Sequence, residues 1–415
     1  MPPMPAFRLR TAFAAVVVVA STWIVAPPAA AQQVRARDLG IPFEGTTGPL
    51  NAITDLGGVE VGHATIIRGD GRLVRGQGPV RTGVTAIFPR GKVGISEVMA
   101  GWWSLNGNGE MTGTTWVEES GFLGGPLMIT NTHSVGAVHE ATIDFAVKQG
   151  KSFLWSLPVV AETWDGFLND INGFHVRAEH VRDAIAAARN GPVVEGSVGG
   201  GTGMICNGFK GGIGTSSRVV QVGDTTYTVG VLLQCNYGRR SQLRLAGIPW
   251  MLAPQPMEPA PCYTMDPPEG ADRFPRCSGA TSGEDPAERG SIIIVVGTDA
   301  PMLPHQLKRV ARRAGLGIGR VGGIGGNSSG DIFIAFSTAN PGASTDTGTV
   351  TVRMLANDAN NPIFEGTIQA VEEAILNSMV AARDMVGADG LRIPALPHDK
   401  VRALLTAQGR STLPR

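Results

Sequence analysis

Apolar residues recur at helical spacing in four stretches of the chain. Val135 to Val147 follows Ser134, a residue suited to cap a helix. Val176 to Ala188 runs up to Asn190-Gly191, a good C-terminal stop. Leu303, Leu307, Val310 and Ala314 keep a 3.6-residue period, with Pro301 and Pro304 at the start and Gly315 at the end. Ile368, Val371, Ile375 and Met379 mark a fourth helix. Strand patterns lie between them. Phe153 to Val160 is one; Val219 to Gln221, the turn Gly223-Asp224 and Tyr227 to Leu233 form a hairpin. Ile292 to Val296 is an unbroken run of β-branched residues, which predicts a strand buried on both faces, and Ile332 to Phe336 reads the same way. Buried strands alternating with amphipathic helices predict a layered α/β fold, with helices covering sheets from outside.

Two segments break this pattern. Residues 253–290 carry eight prolines, several acids and little apolar periodicity, which predicts an exposed loop. The loop runs through Arg289-Gly290-Ser291 straight into the buried strand, a boundary expected where a chain is cut. At the other segment, Arg8 and Arg10 precede an apolar stretch from Thr11 to Val25, and Ala29-Ala30-Ala31 then offers an A-x-A site, with Gln32 as the mature start. That order predicts a secretory signal peptide over residues 1–31, hence a periplasmic or secreted protein. A membrane anchor is the alternative, but the run is shorter than the ~20 apolar residues of a span and Pro27-Pro28 follows it. No later segment is apolar enough to span, so no membrane contact is expected after signal removal.

The chain has 415 residues, enough for one large domain or two ordinary ones with a substantial core. Lys plus Arg equals Asp plus Glu at 35 each, so no net field favours nucleic acid. The 57 glycines sit in discrete loops between apolar runs, a distribution of tight turns and not of disorder. Cys206, Cys235, Cys262 and Cys277 form no C-x-x-C pair, which argues against zinc or thioredoxin-like chemistry. Cys262 and Cys277 flank part of the Pro-rich loop and are a candidate disulfide in an exported protein. Cys206 and Cys235 lie in apolar surroundings and read as buried small hydrophobes.

Several motifs fail in context. Gly317 to Gly322 matches G-x-G-x-x-G, but a helix precedes it where the dinucleotide fingerprint needs a strand. In Gly203 to Lys210, Phe209 separates glycine from lysine and spoils a P-loop. Gly326 to Gly330 matches G-x-S-x-G, but it precedes a strand, so Ser328 is not an elbow nucleophile. His139-Glu140 has no second histidine at zincin spacing, and the other histidines form no ligand cluster. No metal or cofactor is expected.

At Gly290-Ser291-Ile-Ile-Ile-Val-Val-Gly-Thr-Asp a familiar pattern begins. Other blocks accompany it: PLNAITDLGGVEVGH from Pro49, NGNGEMTG from Asn106, TNTHSVG from Thr130, AETWDGFLND from Ala161, GGGTGMICNGFKGG from Gly199, VGVLLQCNYG from Val229 and NSSGDIFIAFSTAN from Asn327. In this order they resemble the self-processing L-aminopeptidase/D-esterase-amidase and β-peptidyl aminopeptidase family over nearly the whole mature chain. The resemblance implies a four-layer αββα sandwich cut between Gly290 and Ser291 into a larger chain, 32–290, and a smaller one, 291–415, assembled as homo-oligomers of processed pairs. The expected substrate is a small peptide or an aminoacyl amide or ester.

The chemistry is coherent from first principles. A serine hydroxyl needs a base to take its proton. A cut before Ser291 gives that serine an α-amine, with a reference pKa of about 7.7–8.0, suited to base work. Gly290 has no Cβ, so its carbonyl can be held in a strained, attackable geometry. The resemblance further implies that Ser329 and Asp331 orient and relay protons beside Ser291, that Asn236 donates to the oxyanion, and that Glu162 anchors the substrate's free ammonium. Glu162 is expected in a polar turn just after the apolar strand, with Asp165 as the competing carboxylate. The family often has tyrosine where this chain has Trp164; an indole donates one hydrogen bond and accepts none through oxygen, so Trp164 is read as a pocket wall. Two rival readings remain: a self-processing acyltransferase of the ornithine acetyltransferase type, which uses threonine as its new N-terminus, and a non-catalytic periplasmic binding protein, which leaves Gly290-Ser291 unexplained.

Overall fold

The computed structural model describes residues 1–2, 33–93, 96–149, 155–254, 260–270, 274–277, 290–345 and 347–413. The expected signal peptide and its cleavage site lie outside the described residues. Chain contacts separate Met1–Gln32 from a unit spanning Gln33–Arg415, and the fold below is that of the second unit.

Two sheets form its centre. The smaller one contains β1 (Glu60–Arg68), β2 (Val80–Phe88), β5 (Leu127–Asn131) and β6 (Val159–Thr163), in the order β1-β2-β5-β6. The larger contains β3 (Val98–Ser104), β4 (Phe122–Leu123), β9 (Gly212–Val222), β10 (Thr225–Asn236), β11 (Ser291–Thr298) and β12 (Gly330–Ser337), in the order β4-β3-β12-β11-β10-β9. A small hairpin, β7 (Ile205–Cys206) with β8 (Phe209–Lys210), precedes β9. In the larger sheet only β11 and β12 run parallel; β10 and β11 are antiparallel, as are β3 and β12.

Side-chain alternation explains the layering. Along β11, Ile292, Ile294 and Val296 pack outward with Val310, Ala314, Val371 and Ile375 of the helices α4 (Pro304–Arg320) and α5 (Asn361–Val380). Ile293 and Val295 point the other way, into a layer shared with Ile87, Leu127, Ile129 and Ala161 of the smaller sheet. That sheet's far face, with Val84, Ala86, Met128 and Val160, is covered by Val138 and Ala141 of α2 (Val135–Lys148) and by Val181 and Ala184 of α3 (Ala178–Ala187). The result is the four-layer αββα sandwich implied by the resemblance. Each fully buried Ile or Val contributes about 1.5–3 kcal/mol, so the unbroken apolar run of β11 is required by burial on two faces.

Several expectations are corrected. The strand expected over Phe153–Val160 is displaced: β6 covers Val159–Thr163, and residues 155–158 are not strand. The helix expected to end at Gly315 continues to Arg320. Its Gly317 packs so closely on α5 that a Cβ would stand 2.6 Å from the Val371 side chain; glycine here serves helix contact, not termination. The loop 253–290 is not uniformly exposed. Cys262 and Tyr263 pair with Arg392 and Leu391, and Tyr263 and Phe274 bury themselves with Leu168 and Ile393. Residues 255–259, 271–273 and 278–289 lie outside the described part. Cys262 is bonded to Cys277. Cys206 and Cys235, read as separate buried hydrophobes, are also bonded to each other, because the β7 segment folds back against the end of β10.

Candidate active site

Ser291 is the first residue of β11 and sits between two chain neighbours in register. Asn236, the last residue of β10, is its antiparallel partner, and Gly330, the first residue of β12, is its parallel partner. The Gly330 N–H donates to Ser291 Oγ at 3.1 Å. Glycine is required there: a Cβ on Gly330 would lie 2.3 Å from the carbonyl oxygen of Asn108. Gly290 is equally constrained. A Cβ on it would fall 1.8 Å from the carbonyl oxygen of Asn236, so the Gly290–Ser291 peptide lies hard against the end of β10.

Ser329 and Asp331 flank Gly330 and are both fully buried. Ser329 Oγ donates to Asp331 Oδ1 at 2.6 Å. Asn106 grips the same carboxylate: its Nδ2 donates to Asp331 Oδ2 at 3.2 Å, and its Oδ1 accepts from the Asp331 N–H at 2.6 Å. The Asn236 amide is held at both ends. Its Oδ1 accepts from the Ile205 N–H at 2.8 Å and its Nδ2 donates to the Trp164 carbonyl at 2.8 Å. An Asn Nδ2 carries two N–H groups, so this contact uses one of them.

A cavity of about 570 Å3 opens beside Ser291. Gly290, Ser291, Glu162, Trp164 and Phe167 line it, with Ser328 and the loop 107–110 closing one side. Of the expected residues, Ser291, Gly290, Glu162 and Trp164 therefore meet in one cavity, while Ser329, Asp331 and Asn236 do not line it: Asn236 is paired with Ser291, and Ser329 and Asp331 flank Gly330. Trp164 is half-buried and lies across Gly166, where a Cβ would stand 2.4 Å from the indole. Its ring meets Phe167 edge-on at 4.7 Å. Trp164 thus lines the cavity, and its backbone carbonyl accepts from Asn236.

Glu162 belongs to strand β6, not to a turn, which makes it a rigid carrier. Its Oε1 accepts from the Glu110 N–H at 2.9 Å, and its Oε2 accepts from Thr132 Oγ1. Burial pushes its carboxyl above the usual range, opposed by these two hydrogen bonds. Asp165 faces elsewhere. It is enclosed by Asn131 and Asn169, each donating at 3.0 Å, and does not line the cavity. Burial raises its pKa to about 6. Gln234 of β10 ties the sheets together, donating to the Thr130 carbonyl and to Thr163 Oγ1 of the smaller sheet. That tie fixes the Glu162 strand relative to Ser291.

Thr132, Glu110 and Asn106 had no assigned role in the sequence. The signal was present in the blocks NGNGEMTG and TNTHSVG, whose clustered Asn, Gly and Thr are more polar than a plain connection needs. Among the described residues no group of three or more His, Cys, Asp or Glu is placed to hold a metal, and no helix is long and apolar enough to cross a membrane.

The family description Peptidase family S58 matches residues 51–393. The chain is 54% identical to the β-peptidyl aminopeptidase BapA of Sphingosinicella microcystinivorans, over 92% of this chain and 94% of that one. It is 45% identical to BapA of Sphingosinicella xenopeptidilytica, over 95% of each. The solved structure of an L-aminopeptidase D-Ala-esterase/amidase from Ochrobactrum anthropi, described as a variant of the Ntn-hydrolase fold, superposes with a TM-score of 0.80 at 46% identity, covering 91% of this chain and 99% of that one. A Burkholderia β-aminopeptidase gives 0.78 at 44% identity, with the same coverage. Family match, relatives and fold agree: the chain is a serine-type aminopeptidase and belongs to peptidase family S58.

Proposed function

We propose that this aminopeptidase cuts its own chain between Gly290 and Ser291 and then uses Ser291 to remove N-terminal aminoacyl groups, α or β, from short peptides, amides and esters. The observation that carries the reading is the placement of Ser291 at the start of a buried strand, with Gly290, Glu162 and Trp164 around one cavity. In the first step Ser291 Oγ attacks the Gly290 carbonyl carbon. The C–N bond breaks, the proton passes to the Ser291 nitrogen, and water hydrolyses the resulting ester. The freed α-amine then takes the hydroxyl proton when the same Oγ attacks substrate. It returns the proton to the leaving amine, and water releases the acyl group.

Each neighbour has a physical task. The second N–H of Asn236 donates to the tetrahedral oxygen; preorganised donors of this kind contribute about 10²–10³ in rate. Ser329 and Asp331 form the proton-relaying pair behind Gly330. Glu162, buried and hydrogen-bonded, is the counter-charge for the substrate ammonium, and Trp164 with Phe167 packs the acyl chain. A signal peptide over residues 1–31 accounts for the N-terminal sequence and places the mature enzyme in the periplasm or outside the cell, as oligomers of processed pairs.

The test is release of p-nitroaniline from aminoacyl anilides with no acyl acceptor present. Free-amine α-L, D and β anilides are compared with their N-acetylated analogues. Cleavage confined to free-amine substrates is expected. Turnover only in the presence of an acceptor favours the acyltransferase, and binding without turnover favours the binding protein.

A further inference from the structure

The bond between Cys206 and Cys235 lies beside the machinery just described. Three consecutive residues of the β7 segment grip three consecutive residues at the end of β10. The Ile205 N–H donates to Asn236 Oδ1 at 2.8 Å. Cys206 is covalently joined to Cys235. The Asn207 N–H donates to the Tyr237 carbonyl at 2.7 Å. Asn236, Cys235, Cys206 and Ile205 thus close a small ring: two peptide links, one disulfide and one hydrogen bond. The side chain inside that ring belongs to the residue paired in register with Ser291.

An asparagine amide rotates freely unless both ends are engaged. Here Ile205 fixes the oxygen end and the Trp164 carbonyl takes one N–H of Nδ2, so the two contacts together decide where the second N–H points. β7 is two residues long and pairs with Phe209–Lys210; the Asn207–Tyr237 bond and the Lys210 Nζ bond to the Met204 carbonyl anchor its turn, and the disulfide is the covalent link that sets Ile205 against the residue next to Cys235. Both cysteines are completely buried, and neither lines the cavity.

We propose that the Cys206–Cys235 cross-link is a positioning device for Asn236, so that full-rate self-cleavage and turnover require the oxidised protein. The inference rests on Asn236 acting as oxyanion donor. Forming the bond removes two electrons and two protons from the thiols, which a disulfide reagent takes up as it is reduced to two thiols. Compartments that keep thiols reduced hold such bonds open, whereas exported proteins keep them. A newly made chain is therefore slow until it reaches an oxidising compartment.

The experiment is a double-mutant cycle. Cys206→Ser/Cys235→Ser, Asn236→Ala and their combination are compared with wild type in kcat and KM on one aminoacyl p-nitroanilide, and in the rate at which the smaller chain appears. Removing one oxyanion donor costs about 10²–10³ in kcat; misaiming it costs a fraction of that. The cysteine pair variant should lose about 10-fold in kcat with KM within about twofold, and should lose nothing further in the Asn236→Ala background. A variant that melts earlier but keeps wild-type kcat overturns the proposal, as does an equal loss in both backgrounds, the mark of a general structural role. If the cysteine variant does not fold, wild-type enzyme is purified under reductant and its thiols are counted by alkylation and mass spectrometry. It is then assayed before and after reoxidation: recovered kcat supports the proposal and unchanged kcat overturns it. Wild-type turnover by Asn236→Ala instead removes the oxyanion reading itself.

Discussion

The backbone N–H of Gly330 donates to the hydroxyl of Ser291 at 3.1 Å, across the parallel pairing that sets β12 beside β11. Ser291, the proposed nucleophile, is thus oriented by a glycine whose close approach to the Asn108 carbonyl forbids any side chain. Gly330→Ala should cost about 1–3 kcal/mol through overpacking, read by urea denaturation. It should also slow both self-cleavage and turnover, because relief of the clash moves the donor away from Ser291. Wild-type stability and rate in this variant contradict the described packing.

Two carboxylates near the site should behave differently. Glu162→Gln removes a charge-assisted contact, worth about 1.5–3 kcal/mol or roughly 10- to 150-fold in kcat/KM on free-amine substrates, with stability little changed. Asp165→Asn removes a buried acceptor bound by Asn131 and Asn169 and should destabilise the fold. Steady-state kinetics and thermal melts of both variants check the assignment. If Glu162→Gln processes normally and turns over at the wild-type rate, Glu162 is not the anchor.

The raised pKa of Glu162 gives a pH dependence with a definite sign. Below its folded pKa the carboxyl is neutral and loses its attraction for an ammonium. Affinity for a simple amine inhibitor should therefore weaken as pH falls, beginning above the 4.5 of an ordinary glutamate, and Glu162→Gln should abolish that dependence. Competitive inhibition constants across pH 4–7 supply the measurement. Asp165 acts on stability. Its folded pKa, about 6, exceeds its ordinary 3.8, so its contribution is complete below the unfolded value and is lost as pH rises through about 6.

Breaking the Cys262–Cys277 bond should lower stability more than activity. It closes a stretch of 15 residues, for which chain-entropy estimates give about 3 kcal/mol. Phe274 within that stretch meets the cavity residue Phe167 edge-on at 5.3 Å, so a modest rise in KM should accompany a large fall in melting temperature. A kcat loss greater than the loss in stability implies a closer role in the reaction.

Much of this architecture was legible in the sequence. The β-branched run at Ile292–Val296 announced a strand buried on both faces, and the helical periods found four of the helices. Other features depended on contacts between distant segments. Gly315 looked like a helix end because nothing local reveals that Gly317 lets α4 press against α5. Glu162 looked like a turn residue because Trp155 to Pro158, apolar but not strand, shifted the expected boundary. Cys206 and Cys235 are 29 residues apart, and only the return of the β7 segment to β10 brings them together. Thr132 and Asn106 contact Glu162 and Asp331 through geometry that composition cannot express, although the blocks carrying them are conspicuously polar.

Self-cleavage at Ser291 is the claim on which the rest depends. Intact-mass analysis and N-terminal sequencing of purified wild-type protein and Ser291→Ala test it most directly. Wild type should give two chains, the smaller beginning at Ser291, and Ser291→Ala one uncut, inactive chain. A fully active single chain from wild type, or cleavage and turnover in Ser291→Ala, contradicts it.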